Sequence, residues 1–178
     1  MPFHSENQLV EAALRRFPLR KWLRQPVPQP IYKEREVQGL FGIPDLVAAC
    51  FHPKGTRMKL RSIAFEMKLS DWRRGLAQAF RYRSFAWECY LVIDQTRIGP
   101  ALDHTEEFVR ANVGLIGVSP RRGFTVYHRP HFEAPFCNEL TNTLEAIVIQ
   151  QLQRRTLPGA PHCSGERRIG LQLCGSDL

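Results

Sequence analysis

Leu60-Arg61-Ser62-Ile63-Ala64-Phe65-Glu66-Met67-Lys68-Leu69 alternates in the way an extended chain exploits. Successive side chains of a strand point to opposite faces, so Ile63, Phe65 and Met67 line one face and Ala64, Glu66 and Lys68 the other. The run therefore predicts a strand over 60–69 that carries a carboxylate and an ammonium side by side on one face. Two more extended runs precede it. Residues 31–38 alternate in part, and residues 43–51 are short, apolar and rich in small or branched side chains. His52-Pro53-Lys54-Gly55-Thr56 reads as the turn between the second and third strands.

Working outward, a helix is predicted over 71–85, capped by Ser70 or Asp71. Trp72, Leu76, Ala79 and Phe80 form its core stripe, and Arg74, Gln78 and Tyr82, spaced i, i+4, i+8, a separate polar one. Residues 88–94 and 113–118 are buried-type strands, with a helix over 100–111 between them, and 124–128 is an edge strand. A first helix spans 5–17, with Ser5 as cap, Gln8 three residues on, and Leu9, Ala13 and Phe17 as its apolar stripe. The prolines in 25–30 mark an extended connection. A last helix spans 137–155, striped by Leu140, Leu144, Ile147, Val148 and Leu152. It reads as a packing helix, with a homodimer contact as the alternative use of its apolar face. Strands alternating with helices imply an α/β fold, a mixed central β-sheet flanked by α-helices. One domain is expected over 1–157, and the aperiodic stretch 158–178 is expected to be a flexible tail.

The bulk numbers narrow the class. The chain has 178 residues and a formal charge of +8, and its 20 arginines outnumber its 5 lysines. Arginine's planar fork suits phosphate, and a basic surface favours polyanions whatever their sequence. Five cysteines, an odd number with no CxxC pair, argue for reduced thiols and a cytoplasmic setting. No stretch approaches the length of a bilayer span, so no membrane role is expected.

The chemistry concentrates in Gly42-Ile43-Pro44-Asp45-Leu46-Val47 and Glu66-Met67-Lys68. Cutting a phosphodiester needs a divalent ion that binds phosphate and lowers the pKa of a water. Mg²⁺ prefers hard oxygen ligands and is content with one or two carboxylates; Mn²⁺ can take its place. Asp45 at one strand's start and Glu66 on the neighbouring strand can converge on one ion, and the Met67 carbonyl lies between Glu66 and Lys68 to complete its shell. Lys68, on the face of Glu66, can activate the attacking water or offset phosphate charge.

An acidic-x-Lys triplet alone is a weak signal, but Glu66-x-Lys68 is the only one in the chain, and exactly one Pro-Asp, twenty residues before Glu66, accompanies it at a strand start. The arrangement resembles the PD-(D/E)XK nuclease superfamily, whose fold is that of type II restriction endonucleases. The resemblance covers roughly residues 5–118 and implies a core of helix, three strands, helix and strand. It further implies a metal-dependent nuclease acting on nucleic acid, DNA above all, in a repair, recombination, mobile-element or defence setting. Some members carry a polar residue, often Gln, on the helix after the E-x-K strand, and Gln78 occupies that place with Tyr82 one turn on. Many also have a first-helix glutamate that reaches the metal; Glu6 fits that pattern, with Glu11 in reserve. Arg74, Arg81 and Arg83, with Tyr82, are the candidates for contacting nucleic acid. The rival reading is a nuclease fold without activity, kept as a nucleic-acid-binding or dimerising module. His128 with His131, and His162 with Cys163 and Cys174, fit no defensible ligand spacing.

Overall fold

The computed structural model describes residues 2–24, 30–54 and 56–156. The connection at 25–29, the predicted tail at 158–178 and the grouping of His162, Cys163 and Cys174 lie outside the described residues. Helix α1 spans Glu6–Arg16 and the short α2 Leu19–Trp22. Strands β1 (Tyr32–Glu34), β2 (Leu46–Lys54) and β3 (Arg57–Lys68) follow, then α3 (Trp72–Tyr82) and β4 (Glu88–Asp94). A 3-10 turn leads into α4 (Gly99–Leu102) and α5 (Thr105–Ala111); β5 (Gly114–Ser119), β6 (Gly123–His128) and α6 (Asn138–Thr156) complete the chain. The six strands form one mixed sheet in the order β1-β2-β3-β4-β5-β6. Pairing is antiparallel from β1 to β3, parallel from β3 to β5 and antiparallel between β5 and β6.

The alternation of β3 decides how the sheet is covered. Ile63, Phe65 and Met67 are fully buried with Leu9, Val10 and Ala13 of α1 in one core. That core is aromatic: Trp22 and Phe65 each stack on Tyr90, with ring centroids 5.8 and 5.6 Å apart. Ala64 turns to the other face, where α3 supplies Tyr82 and α6 supplies Leu144 and Val148. Farther along that face Trp72, Leu76 and Ala79 of α3 cover Leu91, Ile93 and Leu115. So α6 is a packing helix of the same domain.

Local chemistry sets the element ends. The Ser5 hydroxyl accepts the Gln8 N–H at 3.3 Å, and Gln8 reaches back to the His4 N–H at 3.0 Å, one residue short of a reciprocal box. Asp71 caps α3 by accepting the Arg74 N–H at 3.2 Å. Four expectations need revising. The second strand starts at Leu46 rather than 43 and runs on through His52, Pro53 and Lys54, so the turn expected over 52–56 does not begin at His52. Phe80, placed in the core stripe of α3, is 44% exposed. The first strand is shorter than 31–38, because Glu36 adopts φ 49°, a left-handed conformation that ends extended pairing. The single helix over 100–111 is two short helices, α4 and α5; at the break the Thr105 hydroxyl donates to the Leu102 carbonyl at 2.6 Å, a local bond that competes with helical pairing. Among the described residues, no helix is long and apolar enough to cross a membrane.

Candidate active site

The ladder between β2 and β3 runs from Lys54↔Arg57 to Leu46↔Phe65 and stops there. Pro44 has no N–H to donate, so it cannot extend the pairing. One step beyond the last pair, Asp45 falls opposite Glu66, and directly opposed residues of an antiparallel pair share a face. The side chain of Asp45 takes over from the missing strand: its Oδ2 accepts the Met67 N–H at 2.6 Å. A residue's N–H and C=O leave a strand along the same edge, so the Met67 carbonyl faces this vacated edge as well. The Met67 side chain belongs to the aromatic core on the far face.

Lys68 completes the triad. Its Nζ lies 2.6 Å from Glu66 Oε1 and 3.6 Å from Glu6 Oε2 at the start of α1. The lysine stem is held under α3 by a missing side chain: a Cβ on Gly75 would come within 2.8 Å of Lys68 Cγ and 2.5 Å of Leu91 Cδ1. A glycine there lets the helix settle onto β3 and β4. The other Glu66 oxygen is held by Tyr82, whose hydroxyl donates to Oε2 at 2.6 Å and also stands 3.1 Å from the Ile43 carbonyl. Gly42, at φ 89°, lies flat against the Tyr82 ring, where any Cβ would approach Cε1 to 2.9 Å. Tyr82 therefore couples the loop before Asp45 to the carboxylate of Glu66.

The electrostatics are those of crowded negative charge. Burial, and then the neighbouring Glu66 charge, push the Asp45 carboxyl up to about 6, against the pull of the Met67 hydrogen bond and Lys68. Burial works against the Lys68 ammonium, but the hydrogen bond and charge of Glu66, with Glu6 and Asp45, outweigh it and hold the proton more firmly than usual. Burial and the bond to Glu66 push the Tyr82 phenol far above its ordinary range, so it remains a donor. Glu66 is 1% exposed, and the Tyr82 hydroxyl and the Lys68 ammonium are the two partners that offset the cost of its burial.

The remaining candidates divide. Glu6 is brought to the triad, though against the ammonium: among the described residues no three His, Cys, Asp or Glu side chains form a ready-made metal cage. Glu11 is not brought there; it pairs with Arg35 at 3.0 Å and with Arg15. The Gln78 Oε1 is buried with no hydrogen-bond partner among the described residues, an acceptor that awaits a donor. Arg74 and Arg81 are exposed on α3. Tyr82 does not belong to an exposed polar stripe and cannot contact nucleic acid, because it is 1% exposed and spent on Glu66. Arg83 is likewise withdrawn: it pairs with Glu133 at 2.5 Å and covers the Phe136 ring. His128 and His131 are close enough to depress the basicity of His128, burial being the larger cause, but no further ligand joins them. The contribution of Tyr82 to Glu66 is the feature that sequence reasoning missed; the glycine at position 42, two residues before the Pro-Asp, was its visible trace.

Comparison with protein-family models gives no match to this chain, and comparison with curated proteins gives none either.

Proposed function

We propose that the protein is a divalent-metal-dependent nuclease that hydrolyses phosphodiester bonds, DNA being the substrate class, on a fold of the PD-(D/E)XK type. One observation carries the reading: Asp45, the residue before β2, accepts the Met67 N–H at 2.6 Å beside Glu66, whose carboxylate lies 2.6 Å from the Lys68 ammonium. The order α1, β1, β2, β3, α3, β4 supports the fold assignment, since it matches the order that the resemblance implies, with the short α2 added.

The donor set fits Mg²⁺ or Mn²⁺. Glu66 and Glu6 contact the one ammonium, and Asp45 beside them is raised to about 6 by burial first and by the Glu66 charge second. Two hard carboxylates and the Met67 carbonyl would hold the ion, with Glu6 available from α1. When bound, the ion supplies Lewis-acid activation of the phosphoryl group and of the attacking water. The chain's own groups do the rest. Tyr82 fixes the orientation of Glu66 by holding one oxygen. Lys68 keeps its proton, so it acts by donating a hydrogen bond and offsetting charge that develops on the phosphate, rather than as a base. The Gln78 carbonyl can accept from a water and so orient it. The surplus of eight positive charges and the exposed Arg74 and Arg81 favour a polyanionic substrate.

The direct test is cleavage of supercoiled, linear and single-stranded DNA with Mg²⁺ or Mn²⁺, comparing wild type with Asp45→Ala and Lys68→Ala. Metal-dependent cutting that both variants abolish is expected. Cutting that survives both substitutions would remove the site assignment, and tight DNA binding without cutting under either metal would leave a binding module.

A further inference from the structure

The loop that delivers Asp45 also holds two large apolar side chains in solvent. Phe41 is 56% exposed and Ile43 50% exposed. Single exposed apolar residues are unremarkable on a surface. These two differ in how they are held. Gly39 and Gly42 both adopt left-handed conformations, at φ 85° and 89°, so the backbone doubles back around Phe41. Gly42 is seated on the Tyr82 ring, and the Ile43 carbonyl stands 3.1 Å from the hydroxyl that holds Glu66. Ile43 is two residues from Asp45. The exposed pair is thus fixed to Glu66 through one buried tyrosine and to Asp45 through the chain itself. The contrast with Phe136, 58% exposed, is instructive: Phe136 has the Phe80 ring 5.9 Å away and the Arg83 guanidinium over its face, whereas no ring contact to Phe41 is seen among the described residues.

We infer that Phe41 and Ile43 form a wedge that enters a base step of duplex nucleic acid beside the scissile phosphate. The inference rests on the nuclease reading for the identity of the phosphate, but the wedge acts on the bases. Apolar side chains inserted between base pairs unstack and kink a duplex, and the burial they gain offsets the lost stacking. A loop whose backbone is pinned at Gly42 and Ile43 suits the task, because less backbone freedom is lost on binding. The occupant is nucleic acid on grounds of charge: the chain carries +8, and Arg73, Arg74 and Arg81 are exposed on the helix to which the loop is pinned. The wedge makes duplex, not unpaired strand, the substrate that needs this loop.

The double variant Phe41→Ala, Ile43→Ser, which leaves Gly42 and Asp45 in place, tests this on two readouts. The first is cleavage, with Mg²⁺ or Mn²⁺, of a duplex and of the same strand left unpaired. The second is the fluorescence of a duplex carrying several 2-aminopurines, titrated with protein in Ca²⁺. Expected are a loss of about 10- to 100-fold in duplex cleavage with the unpaired strand cut at nearly the wild-type rate, and a rise in 2-aminopurine emission with wild type that the variant does not produce. Equal cleavage of both substrates by variant and wild type, or equal emission changes, would overturn the wedge. So would a variant that sediments as monomer where wild type sediments as dimer, since the pair would then be a subunit contact. If wild type raises the emission yet cuts nothing, the wedge stands and the nuclease reading falls. If it does neither, both fall.

Discussion

Strand β3 carries a buried ion pair near each end, and the two pairs are built differently. Near its start, Arg61 meets Glu88 of β4 at 2.7 Å, both side chains 11% exposed, and the Tyr90 hydroxyl donates to the same carboxylate at 3.0 Å. Near its end, Lys68 meets Glu66 at 2.6 Å, and the Tyr82 hydroxyl donates to that carboxylate at 2.6 Å. Each end thus has an acid, a base and a tyrosine. At the first end no second acid joins the pair among the described residues; Arg129 hydrogen-bonds Tyr90 as a further cation, and the Arg61 guanidinium is covered by the Phe132 ring at 4.2 Å. At the second, Asp45 and Glu6 add two acids, and burial together with the Glu66 charge raises the Asp45 carboxyl to about 6. A pair with no spare acid, capped by a ring, fits a structural fastening. A pair with spare acids, left at a strand edge that a proline has emptied, is where the proposed cation would be held.

The largest expected effect separates the two ends by activity. Asp45→Ala or Glu66→Ala should lower metal-dependent cleavage on the order of 10³-fold, while Glu88→Gln leaves it within about twofold. Comparable losses at both ends in the same assay would abolish the distinction. Stability should separate them in the opposite sense. Arg61→Ala strands a buried carboxylate and should cost about 3 kcal/mol in urea unfolding, with or without Mg²⁺. Lys68→Ala should also destabilise the chain in chelator, but added Mg²⁺ should recover much of that loss, because a ligand that binds only the folded state stabilises it. Recovery of Arg61→Ala by Mg²⁺ would show that the first end is no mere fastening.

A smaller effect sharpens the role of the tyrosines. Tyr82→Phe should reduce kcat about tenfold with KM little changed, since it frees one Glu66 oxygen without removing a ligand. Tyr90→Phe, at the first end, should leave the rate alone. Steady-state kinetics across a Mg²⁺ titration checks both. The smallest effect concerns pH. In the folded chain Asp45 holds its proton up to about 6 against an ordinary value of 3.8. Between those values the folded state binds more proton than the unfolded one, so stability without metal should rise as pH falls through 6 and level off near 3.8. The gain should be roughly 1 kcal/mol after solvent screening and should vanish in Asp45→Asn, as followed by thermal melting in chelator. A melting curve in which Asp45→Asn keeps the full pH dependence would place the titration elsewhere.

Much of this was legible because β3 is strictly alternating. Period two separated Phe65 and Met67 from Glu66 and Lys68 before any neighbour was known, but the second strand was begun at residue 43, because its apolar run hides that Pro44 cannot pair. Tyr82 was misread for a physical reason. The spacing of Arg74, Gln78 and Tyr82 places them on one helical stripe, but spacing does not reveal what covers each turn. The stripe runs from solvent at Arg74 to a loop some forty residues upstream that closes over Tyr82 (~40 from Gly42 to Tyr82, a non-local closure that short-range periodicity does not report). The Arg61–Glu88 pair was hidden for the same reason, since it joins two strands whose parallel register no local pattern specifies. The break between α4 and α5 escaped because Thr105 is an acceptable helix residue until its hydroxyl finds the Leu102 carbonyl.

Gly42, Asp45, Glu66, Lys68, Gly75 and Tyr82 all lie in one uninterrupted run of chain, and only Glu6 comes from outside it. Such a run closes through a hairpin and a single crossover, the least entropically demanding route to a site on a mixed sheet. The proposed site is therefore compact in sequence. The β5–β6 hairpin lies outside that run, whereas α6 shares a core with Tyr82, so a change in α6 reaches Glu66 through that one ring.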